Sequence, residues 1–509
     1  MKAIIVGSGL SGLVAAATLA KAGHEVTVCE QFGQVGGVTA GFEQNGFRWD
    51  LGQLMVEGFG PDEPIGRILA ALDVTKQVPI AKEERGYVFP DFELRKPTEY
   101  EGPAWRINRL KSLFPDEQPG LERYWADNVR FTRLLTFARR AENSSGLSSL
   151  FWKGRLLLQL LPFRPRLKWS AQQIMDDFFQ DRRLQLVFIS ILADFFTSPS
   201  QFPGLGVFTL NPETFFDRRI PRSIASNAEQ LYGYSILGGM RTLVDALVER
   251  IQACGGHIHV NSPVTKILVA QNRVLGVLLK GGDRLPADIV VASGGAKETF
   301  FKLVGEEHLE PSFARKVSEL PLMDSVFMVH LGVDFDPSPY VHGVCTYYYS
   351  SYDLDEAIDE AHAGLYHQGE RGFVVHIPSL HSPSMAPYGC HAVTIYTISP
   401  DRLAEGDWEE NKEAFADRLV TYAEKFIPGL KDHTQVRAIL TPEDFRLRTH
   451  LNHHAFGGLA PVLGAARIPH QTPIHGLWFV GAQSESGGGV NSVIPGAYKT
   501  ARRIIQSVR

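Results

Sequence analysis

Residues 4–30 read IIVGSGLSGLVAAATLAKAGHEVTVCE, and this stretch decides the fold. It predicts a short β-branched strand, a glycine turn, an alanine-rich helix over Leu13–Ala22 and a second strand, EVTVC. The turn has the spacing GxGxxG. In a strand–turn–helix unit, these glycines make the turn, let backbone approach a pyrophosphate and let the helix pack closely on the strand. The candidate phosphate-binding residues of the turn are Gly7, Ser8, Gly9, Ser11 and Gly12.

An acidic residue, Glu30, follows the second strand. A carboxylate at this offset accepts hydrogen bonds from both ribose hydroxyls and repels a 2′-phosphate. A secretory signal would also explain Lys2 and the apolar run, but glycines and serines interrupt the run and a strand follows it. A glycine-rich turn without a ligand is the other alternative. The complete ordered unit favours a dinucleotide site.

The composition narrows the class of protein. A chain of 509 residues, 44% hydrophobic and 21% charged, is typical of a soluble globular protein of two or three domains. The net charge of −5 argues against a nucleic-acid partner. No apolar run reaches about 18 residues, so no spanning helix is expected. The widely spaced cysteines predict reduced thiols in a cytoplasmic compartment; they are Cys29, Cys254, Cys345 and Cys390.

Two further glycine segments indicate which dinucleotide binds. Gly36 and Gly37 follow shortly after the acidic residue. Near the C-terminus, a predicted strand over Leu477–Val480 enters Gly481, and a helix begins near Ser492. Three separated segments suit one extended ligand, which favours FAD over NAD. No second strand-linked GxGxxG offers a separate site for NAD(P)H.

The middle of the chain continues the pattern. Residues 237–295 predict a helix, a glycine turn, a strand, a short meander and a buried strand, DIVVAS. Val264 stands at a strand edge that could offer backbone groups to an adenine. The sequence HLNHH contains three histidines, His450, His453 and His454, and resembles a metal-binding sequence. No matching carboxylate or cysteine spacing accompanies it, so we predict no metal.

Together these segments resemble the FAD-dependent phytoene desaturase superfamily, which includes carotenoid desaturases, carotenoid cis–trans isomerases and retinol saturases. The resemblance rests on GSGLSG, the glycine pair, GGMRTLVDAL, SMAPYGCHAVTIYT and GAQSESGGGV. It implies an α/β fold: a Rossmann-like FAD-binding domain with a parallel sheet, helices and a β-meander, plus a discontinuous α+β substrate-binding domain. The implied FAD-binding ranges are 1–70, 235–300 and 436–509, and the substrate-binding ranges are 71–234 and 301–435.

The resemblance also implies non-covalent FAD, because the cysteine that bonds flavin in some amine oxidases has no counterpart in the C-terminal loop. Two departures stand out. Val38 occupies the place where an arginine commonly follows the glycine pair, and the C-terminal loop carries Gln483, Glu485 and Ser486. Besides the turn and Glu30, the candidate cofactor-binding residues are Gly36, Gly37, Val38, Val264, Gly481, Ala482, Gly489 and Val490.

The implied chemistry is a redox reaction of an apolar substrate. Oxidised flavin takes a hydride from an allylic carbon, and reduced flavin supports isomerisation or saturation of a polyene. We therefore predict an oxidoreductase acting on a carotenoid or another long polyisoprenoid. The predicted reaction is desaturation or redox-neutral cis–trans isomerisation. The alternatives are a polyene saturase of the retinol saturase type, an FAD-dependent amine oxidase and a non-enzymatic prenyl-binding escort protein. Glu485 is a candidate acid or base, with a capping or surface role as its alternative, and the oligomeric state stays open.

Residues 151–169, FWKGRLLLQLLPFRPRLKW, combine five basic residues with leucines and aromatic residues and contain no acidic residue. Such a segment could lie in the bilayer interface, with its charges at the headgroups. A surface helix packed on the protein is the alternative. We expect a cytoplasmic enzyme that associates peripherally with the membrane and draws an apolar substrate from it.

Overall fold

A computed structural model describes residues 1–52 and 55–508. The predicted FAD-binding ranges also include Gln53, Leu54 and Arg509, which lie outside the described residues. The chain folds around two large sheets, one parallel and one mixed. Each sheet is assembled from segments that are distant in sequence.

A five-stranded parallel sheet forms the centre of the first part. Strand Lys2–Val6 pairs with Glu25–Cys29 on one side and with Ile289–Ala292 on the other. His257–His259 and Leu477–Phe479 complete the two edges. The strands predicted at KAIIV, EVTVC and DIVVAS are therefore confirmed, and the C-terminal strand ends at Phe479 rather than at Val480.

Helices cover this parallel sheet. The alanine-rich helix is Leu10–Lys21 and begins before the predicted Leu13, because Gly9 is its N-cap. It packs against Met240–Ala253 and Val490–Val508, in one apolar core with the sheet. Small alanine side chains permit this close packing on several sides, so nearly the whole helix is buried. The predicted Rossmann-like arrangement is confirmed.

A three-stranded antiparallel meander connects two strands of the parallel sheet. It consists of Val264–Ala270, Arg273–Leu279 and Arg284–Pro286. With the preceding helix and strand, it reproduces the order predicted for residues 237–295.

The second part is built on a seven-stranded mixed sheet. One face packs on helix Trp408–Glu424, and the opposite face belongs to an apolar cluster with the mostly helical segment 105–216. Side chains alternate between these faces along each strand. The strand order is Thr434–Leu440, Ser325–Val333, His391–Ser399, Gly372–His376, Cys345–Tyr349, Arg85–Val88 and Glu93–Leu94.

The remaining elements surround these two sheets. The other helices of eight or more residues include Pro64–Ala71, Trp105–Leu113, Gln118–Glu142, Gly146–Leu160, Ala171–Phe178, Arg182–Ile189, Glu298–Gly305, Pro311–Ser318, Leu354–His362 and Pro442–Thr449. Further strands form a three-stranded sheet and two small hairpins. The sheet has the order Val56–Glu57, Gly233–Ile236 and Ile80–Glu83. The hairpins pair Phe42–Gln44 with Phe47–Trp49 and Ser223–Ala225 with Ala228–Glu229.

The predicted domain ranges stay a prediction. Strand Thr434–Leu440 spans the predicted boundary at residue 436, and its pairing places it in the seven-stranded sheet. Strand Gly233–Ile236 likewise spans the predicted boundary at residue 235. It pairs with Val56–Glu57, which precedes the predicted boundary at residue 70, and with Ile80–Glu83, which follows that boundary. The chain therefore crosses between the two parts within strands as well as in loops.

A buried ion pair anchors the helical segment. The Arg106 guanidinium donates to both carboxylate oxygens of Glu213, at 2.7 and 3.0 Å, and neither side chain is exposed. Arg106 also lies over the Phe216 ring, with its Cζ 4.3 Å from the ring centre. An ion pair of this kind is weakly stabilising overall, whereas loss of one partner leaves a buried charge without compensation.

We expect Arg106→Met to lower the free energy of unfolding by about 3–5 kcal/mol, because Glu213 would remain buried and unpaired. The double variant Arg106→Met/Glu213→Leu should lose less than the single variant. Chemical unfolding of the wild type and both variants measures this. A double variant that loses as much free energy of unfolding as Arg106→Met, or more, would contradict the account.

Candidate functional site

The glycine turn packs so closely that side chains are excluded from it. A Cβ at Gly12 would lie 2.1 Å from the Gly7 carbonyl oxygen, and a Cβ at Gly7 would lie 2.6 Å from the Ser293 oxygen. Gly7 also has a φ of +95°, which favours glycine. No side chain caps the helix at Gly9, and its first turn holds no acidic residue. The free N–H groups of the first turn are thus available to an anion.

The second glycine segment lies directly against the first. The Gly36 N–H donates to the Ser8 carbonyl oxygen at 3.1 Å, and Gly9 and Gly36 form a parallel bridge. A Cβ on Gly37 would be 3.4 Å from the Gly9 Cα. The two glycine segments that the sequence places 24 or more residues apart therefore form one cradle.

Glu30 is held at the edge of this cradle. Its Oε2 accepts hydrogen bonds from the Ser8 N–H at 2.8 Å and from the Ser8 Oγ at 2.5 Å. Its Oε1 accepts from the Phe32 N–H at 2.8 Å. A carboxylate has about four acceptor positions, so Oε1 can still accept from a ribose hydroxyl. This placement suits the role predicted for Glu30.

The C-terminal segment reaches the same place. A Cβ on Gly481 would point at the Ser11 Oγ, 3.9 Å away, so this loop lies beside the first turn of the helix. Gly489 has a φ of +82° and leads into the helix that begins at Val490. Ala482 packs against Gly458, where a Cβ would be 2.5 Å from the Ala482 Cβ. The predicted convergence of three segments is observed, while the binding role of each residue stays a prediction.

Val264 stands farther along the same edge. The Ser262 N–H donates to the Glu30 carbonyl oxygen at 2.7 Å, and the Asn261 N–H donates to the Phe32 oxygen at 3.1 Å. Val264 itself begins the meander and pairs with Leu279. Its backbone is therefore near the ribose-binding position predicted for Glu30, as the adenine hypothesis requires.

A buried carboxyl connects the glycine-pair segment to the helix Met240–Ala253. The Asp50 Oδ1 accepts a hydrogen bond from the Met240 N–H at 2.8 Å. Burial raises the pKa of Asp50 to about 7, and the hydrogen bond opposes this rise. The Asp50 carboxyl thus satisfies an N–H group at the start of this helix. Asp50 therefore links the helix to the segment that follows the glycine pair.

An arginine from the distant helix Pro442–Thr449 lies beside the glycine pair, where this sequence has Val38 in place of the usual arginine. Arg448 donates through Nε to the Gly37 carbonyl oxygen at 2.9 Å and through Nη2 to the Gln34 Oε1 at 3.0 Å. Its guanidinium lies over the Phe32 ring, 4.8 Å from the centre. Burial lowers the pKa of Arg448, and the Glu30 carboxylate opposes the shift. Arg448 could therefore supply the charge that Val38 cannot.

Val38 and the remaining sequence candidates have apolar or structural surroundings. Val38 packs against the apolar cluster of the second part of the chain, near Gly52. Glu485 is exposed, and its Oε1 accepts from the His470 N–H at 3.0 Å, which is the structural role foreseen as its alternative. Gln483 is buried and accepts from the Ala296 N–H at 2.8 Å.

Two histidines of HLNHH, His453 and His454, contact other protein groups. His453 Nε2 lies 2.8 Å from the Met323 carbonyl oxygen, and His454 Nδ1 lies 2.6 Å from the Ser325 Oγ. Burial lowers the pKa of His454 to about 3. Across residues 1–52 and 55–508, no group of three or more histidine, cysteine, aspartate or glutamate side chains could hold a metal ion.

A second feature, an aromatic cavity, lies against the seven-stranded sheet. The empty space between its walls, including the part that is open to solvent, is about 590 Å³. Its aromatic walls include Phe89, Tyr347, Tyr349, Phe373 and Tyr396, its aliphatic walls include Leu186, Val374 and Ile398, and Asp353, His367 and Arg371 also line it. The sequence segments DDFFQDRRLQLVFISILADFFTSP and VCTYYYSSY predict aromatic and aliphatic groups for an apolar tunnel, and both segments contribute to these walls. Which of their residues meet could not be predicted, because the walls come from three strands, two helices and a turn that meet only in the fold.

The family of the chain follows from a comparison with known proteins. The family model described as flavin containing amine oxidoreductase matches residues 10–505. The chain belongs to this family and is a flavin-dependent oxidoreductase. Among solved structures, it is similar to an oxidoreductase from Methanosarcina mazei, with a TM-score of 0.64 and 20% identity over 99% of this chain and 100% of that one. That likeness supports the fold.

Curated relatives place the chain within the carotenoid desaturase and isomerase superfamily of these flavoproteins. It is 27% identical to prolycopene isomerase 2 of an Oncidium hybrid cultivar, over 99% of this chain and 83% of the relative. It is 25% identical to the lycopene-forming phytoene desaturase of Pseudescherichia vulneris, over the whole of both chains. It is 26% identical to pyridine nucleotide-disulfide oxidoreductase domain-containing protein 2 of Rattus norvegicus, over 96% and 90%.

The position of Arg448 gives a testable prediction. We expect Arg448→Gln to weaken FAD binding roughly 10- to 100-fold, because hydrogen bonds to charged groups are worth about 1.5–3 kcal/mol. Titration of the apoprotein with FAD, followed by flavin fluorescence, measures the dissociation constant. Arg448→Lys should lie between the wild type and the glutamine variant, because it keeps the charge and loses the planar fork.

Arg437→Gln provides the matched control. Arg437 pairs with Asp417 and Glu413 on the outer side of the seven-stranded sheet. Its loss should leave the FAD dissociation constant unchanged. Equal affinity of the Arg448→Gln variant and the wild type would refute a cofactor-binding role for Arg448.

Proposed function

We propose that this protein binds FAD non-covalently and acts on a carotenoid or another long polyisoprenoid, by desaturation or by redox-neutral cis–trans isomerisation. The observation that carries the proposal is the aromatic cavity, whose wall residue Tyr396 contacts Phe456, which in turn packs near Gly52 and the segment after the glycine pair. Cavities lined mainly by apolar and aromatic groups suit an apolar ligand. The similarity to isomerases and desaturases supports the same substrate class.

The residues of the cradle fit the cofactor. The uncapped helix start at Gly9 would hold the pyrophosphate, Glu30 would accept from the ribose, and the backbone near Val264 would face the adenine. The Gly36–Gly37 and Gly481–Val490 segments would follow the extended molecule toward the flavin. Bound flavin supplies the acceptor or donor of hydride and electrons. All four cysteines are free and none lies in 481–490, which supports non-covalent binding.

The protein around the cavity would exclude water and orient the substrate. Phe89 stacks on Tyr349, with ring centres 5.2 Å apart, and Tyr87 meets Tyr347 edge to face at 5.4 Å. Packed aromatic walls of this kind are rigid and offer large apolar surfaces. They would hold a long polyene in one position, which a regioselective reaction requires.

Product mass tests the reaction. The holoprotein is incubated anaerobically with liposomal phytoene and with cis-lycopene, first with oxidised and then with reduced flavin. Loss of hydrogen pairs with oxidised flavin is expected from a desaturase, and unchanged mass with altered retention, under reduced flavin, from an isomerase. Gained hydrogens would identify a saturase instead.

Val374→Phe narrows the cavity and should reduce either activity at least tenfold, whereas Leu365→Phe, at an exposed position, should not.

Peroxide release with amines and no change in polyenes would replace the proposal with an amine oxidase. A protein that neither carries nor takes up flavin would favour the escort alternative.

We also propose that helix Gly146–Leu160 and the turn after it dock the protein on an anionic bilayer. The helix exposes an apolar stripe at helical spacing, although such stripes normally face a protein core. Leu147 is 85% exposed, and the other members are Leu150, Phe151, Leu157, Leu158 and Leu161. No helix in residues 1–52 and 55–508 is long and apolar enough to cross a membrane.

Charge supports this assignment. Lys153, Arg155, Arg164 and Lys168 are exposed beside the stripe, and residues 151–169 contain no acidic side chain. Basic groups around an inserted apolar face bind anionic headgroups. The inner side of the helix packs on Gln118–Glu142, where Trp152 meets Phe137 at 5.4 Å. Leu156 and Leu160 contact the apolar cluster that also holds Tyr347 and Tyr396 of the cavity. The free cysteines support a cytoplasmic location for this surface.

We expect the triple variant Leu150→Gln/Phe151→Gln/Leu157→Gln to lose most of its flotation with liposomes that contain anionic lipid. The reason is the loss of buried apolar area in the interface, worth about 25 cal/mol per Å². The matched control replaces exposed leucines elsewhere, Leu275→Gln/Leu365→Gln/Leu447→Gln, which are 53%, 54% and 66% exposed. Membrane docking would be overturned if both triple variants float equally with the liposomes. It would also be overturned if the first variant keeps its flotation and loses self-association instead.

A further inference from the structure

The aromatic cavity contains a carboxylate that a hydrocarbon substrate does not need. Asp194 lies in the turn Ser190–Phe195 and lines the cavity opposite the seven-stranded sheet. The Tyr396 hydroxyl donates to its Oδ2 at 3.0 Å. No cationic side chain forms an ion pair with Asp194 in the part of the chain that the structure describes. Its hydrogen-bond donors are therefore tyrosine hydroxyls, with the charge of Arg85 acting from a longer distance.

The protonation of Asp194 fits an acceptor role. Burial raises the pKa of Asp194 to about 6, while hydrogen bonds from Tyr396 and Tyr347 and the charge of Arg85 oppose the rise. Above that pH the group is a carboxylate with about four acceptor positions, of which the two tyrosines fill two. Two positions remain for a group that enters the cavity.

Two further hydroxyls, those of Ser190 and Tyr349, lie together in the cavity wall, and their interaction opposes the burial that raises the pKa of Tyr349. Ser190 is 3% exposed, and within residues 1–52 and 55–508 neither its Oγ nor the Tyr349 hydroxyl has a hydrogen-bond partner of ordinary geometry. A buried polar group without a partner costs about 1–3 kcal/mol. A pure hydrocarbon in the cavity would leave the two remaining acceptor positions of Asp194, and the remaining hydrogen-bonding capacity of the two hydroxyls, unfilled.

We infer that the substrate of this enzyme is an apolar chain that carries a hydroxyl group, and that Asp194, Ser190 and Tyr349 bind this hydroxyl. A hydroxyl both donates and accepts, so it can donate to Asp194 and accept from Ser190 or Tyr349. An ammonium group only donates, and it would leave both of those hydroxyl donors unpaired. This inference rests on the proposed function and narrows its substrate from polyisoprenoids in general to hydroxylated ones.

Binding of three matched ligands to the holoprotein tests the inference. The ligands are geranylgeraniol, the corresponding amine and the corresponding hydrocarbon with a terminal methyl group. Sites that hydrogen-bond a substrate hydroxyl strongly reject the analogue that lacks it, so we expect the alcohol to bind roughly 100-fold more tightly than the hydrocarbon. Quenching of tryptophan fluorescence gives the dissociation constants at pH 7.5.

Variants separate recognition from folding. Asp194→Leu should weaken alcohol binding to the level of the hydrocarbon and leave hydrocarbon binding equal or tighter. Asp194→Asn, which keeps one acceptor, should retain part of the preference. Asp334→Asn is the matched control, because Asp334 is exposed and pairs with His433 away from the cavity. Flavin content and the unfolding midpoint report whether each variant is folded.

The outcomes distinguish this inference from the proposed function. The inference is overturned if alcohol and hydrocarbon bind equally, or if Asp194→Leu does not change the preference for the alcohol. In either case, turnover of a polyene would still support the proposed function. Amine binding tighter than alcohol binding also overturns it. Failure of all three ligands to bind, together with no change in phytoene or cis-lycopene, would count against the proposed function itself.

Discussion

The close approach of Gly12 to the Gly7 carbonyl oxygen is the constraint on which the rest of the site depends. A Cβ at Gly12 would lie 2.1 Å from that oxygen, so any side chain there would push the helix Leu10–Lys21 away from the sheet. With glycine, the helix begins against strand Lys2–Val6, and its unpaired N–H groups point out of the turn. The same tight turn admits Gly36 and Gly481 to its sides, which brings segments from three regions of the chain to one place.

The second part of the chain supplies what the cradle lacks. Its seven-stranded sheet places aromatic side chains on one face, and the turn Ser190–Phe195 closes a cavity over them. The apolar cluster around this cavity continues to helix Gly146–Leu160, whose outer stripe is exposed. A protein arranged in this way combines a glycine cradle, a partly open cavity with aromatic walls and an amphipathic surface. The proposed function joins these three features in one reaction.

Local sequence order was enough to predict the cradle and not the cavity. The strand, turn, helix, strand and acid of residues 4–30 are consecutive, so spacing alone predicts the roles of Gly7, Gly12 and Glu30. The structure shows the close packing at both glycines, and the binding roles stay predictions. Arg448 lies far from Val38 in sequence, and no local pattern could place it beside Gly37. Asp194 meets Tyr396 only when the turn Ser190–Phe195 packs against the distant strand His391–Ser399. The exposed face of 146–160 likewise depends on which side of that helix packs inward. Tertiary contacts of this kind leave little trace in spacing.

The most direct test of the account is the release of flavin from the purified protein by acid. The account predicts a yellow protein from which acid precipitation releases stoichiometric FAD into the supernatant, identified by its mass and by fluorescence. Flavin that stays with the precipitate would contradict non-covalent binding. Folded protein that carries no flavin and takes none up from added FAD would contradict the central claim that the glycine cradle binds this cofactor.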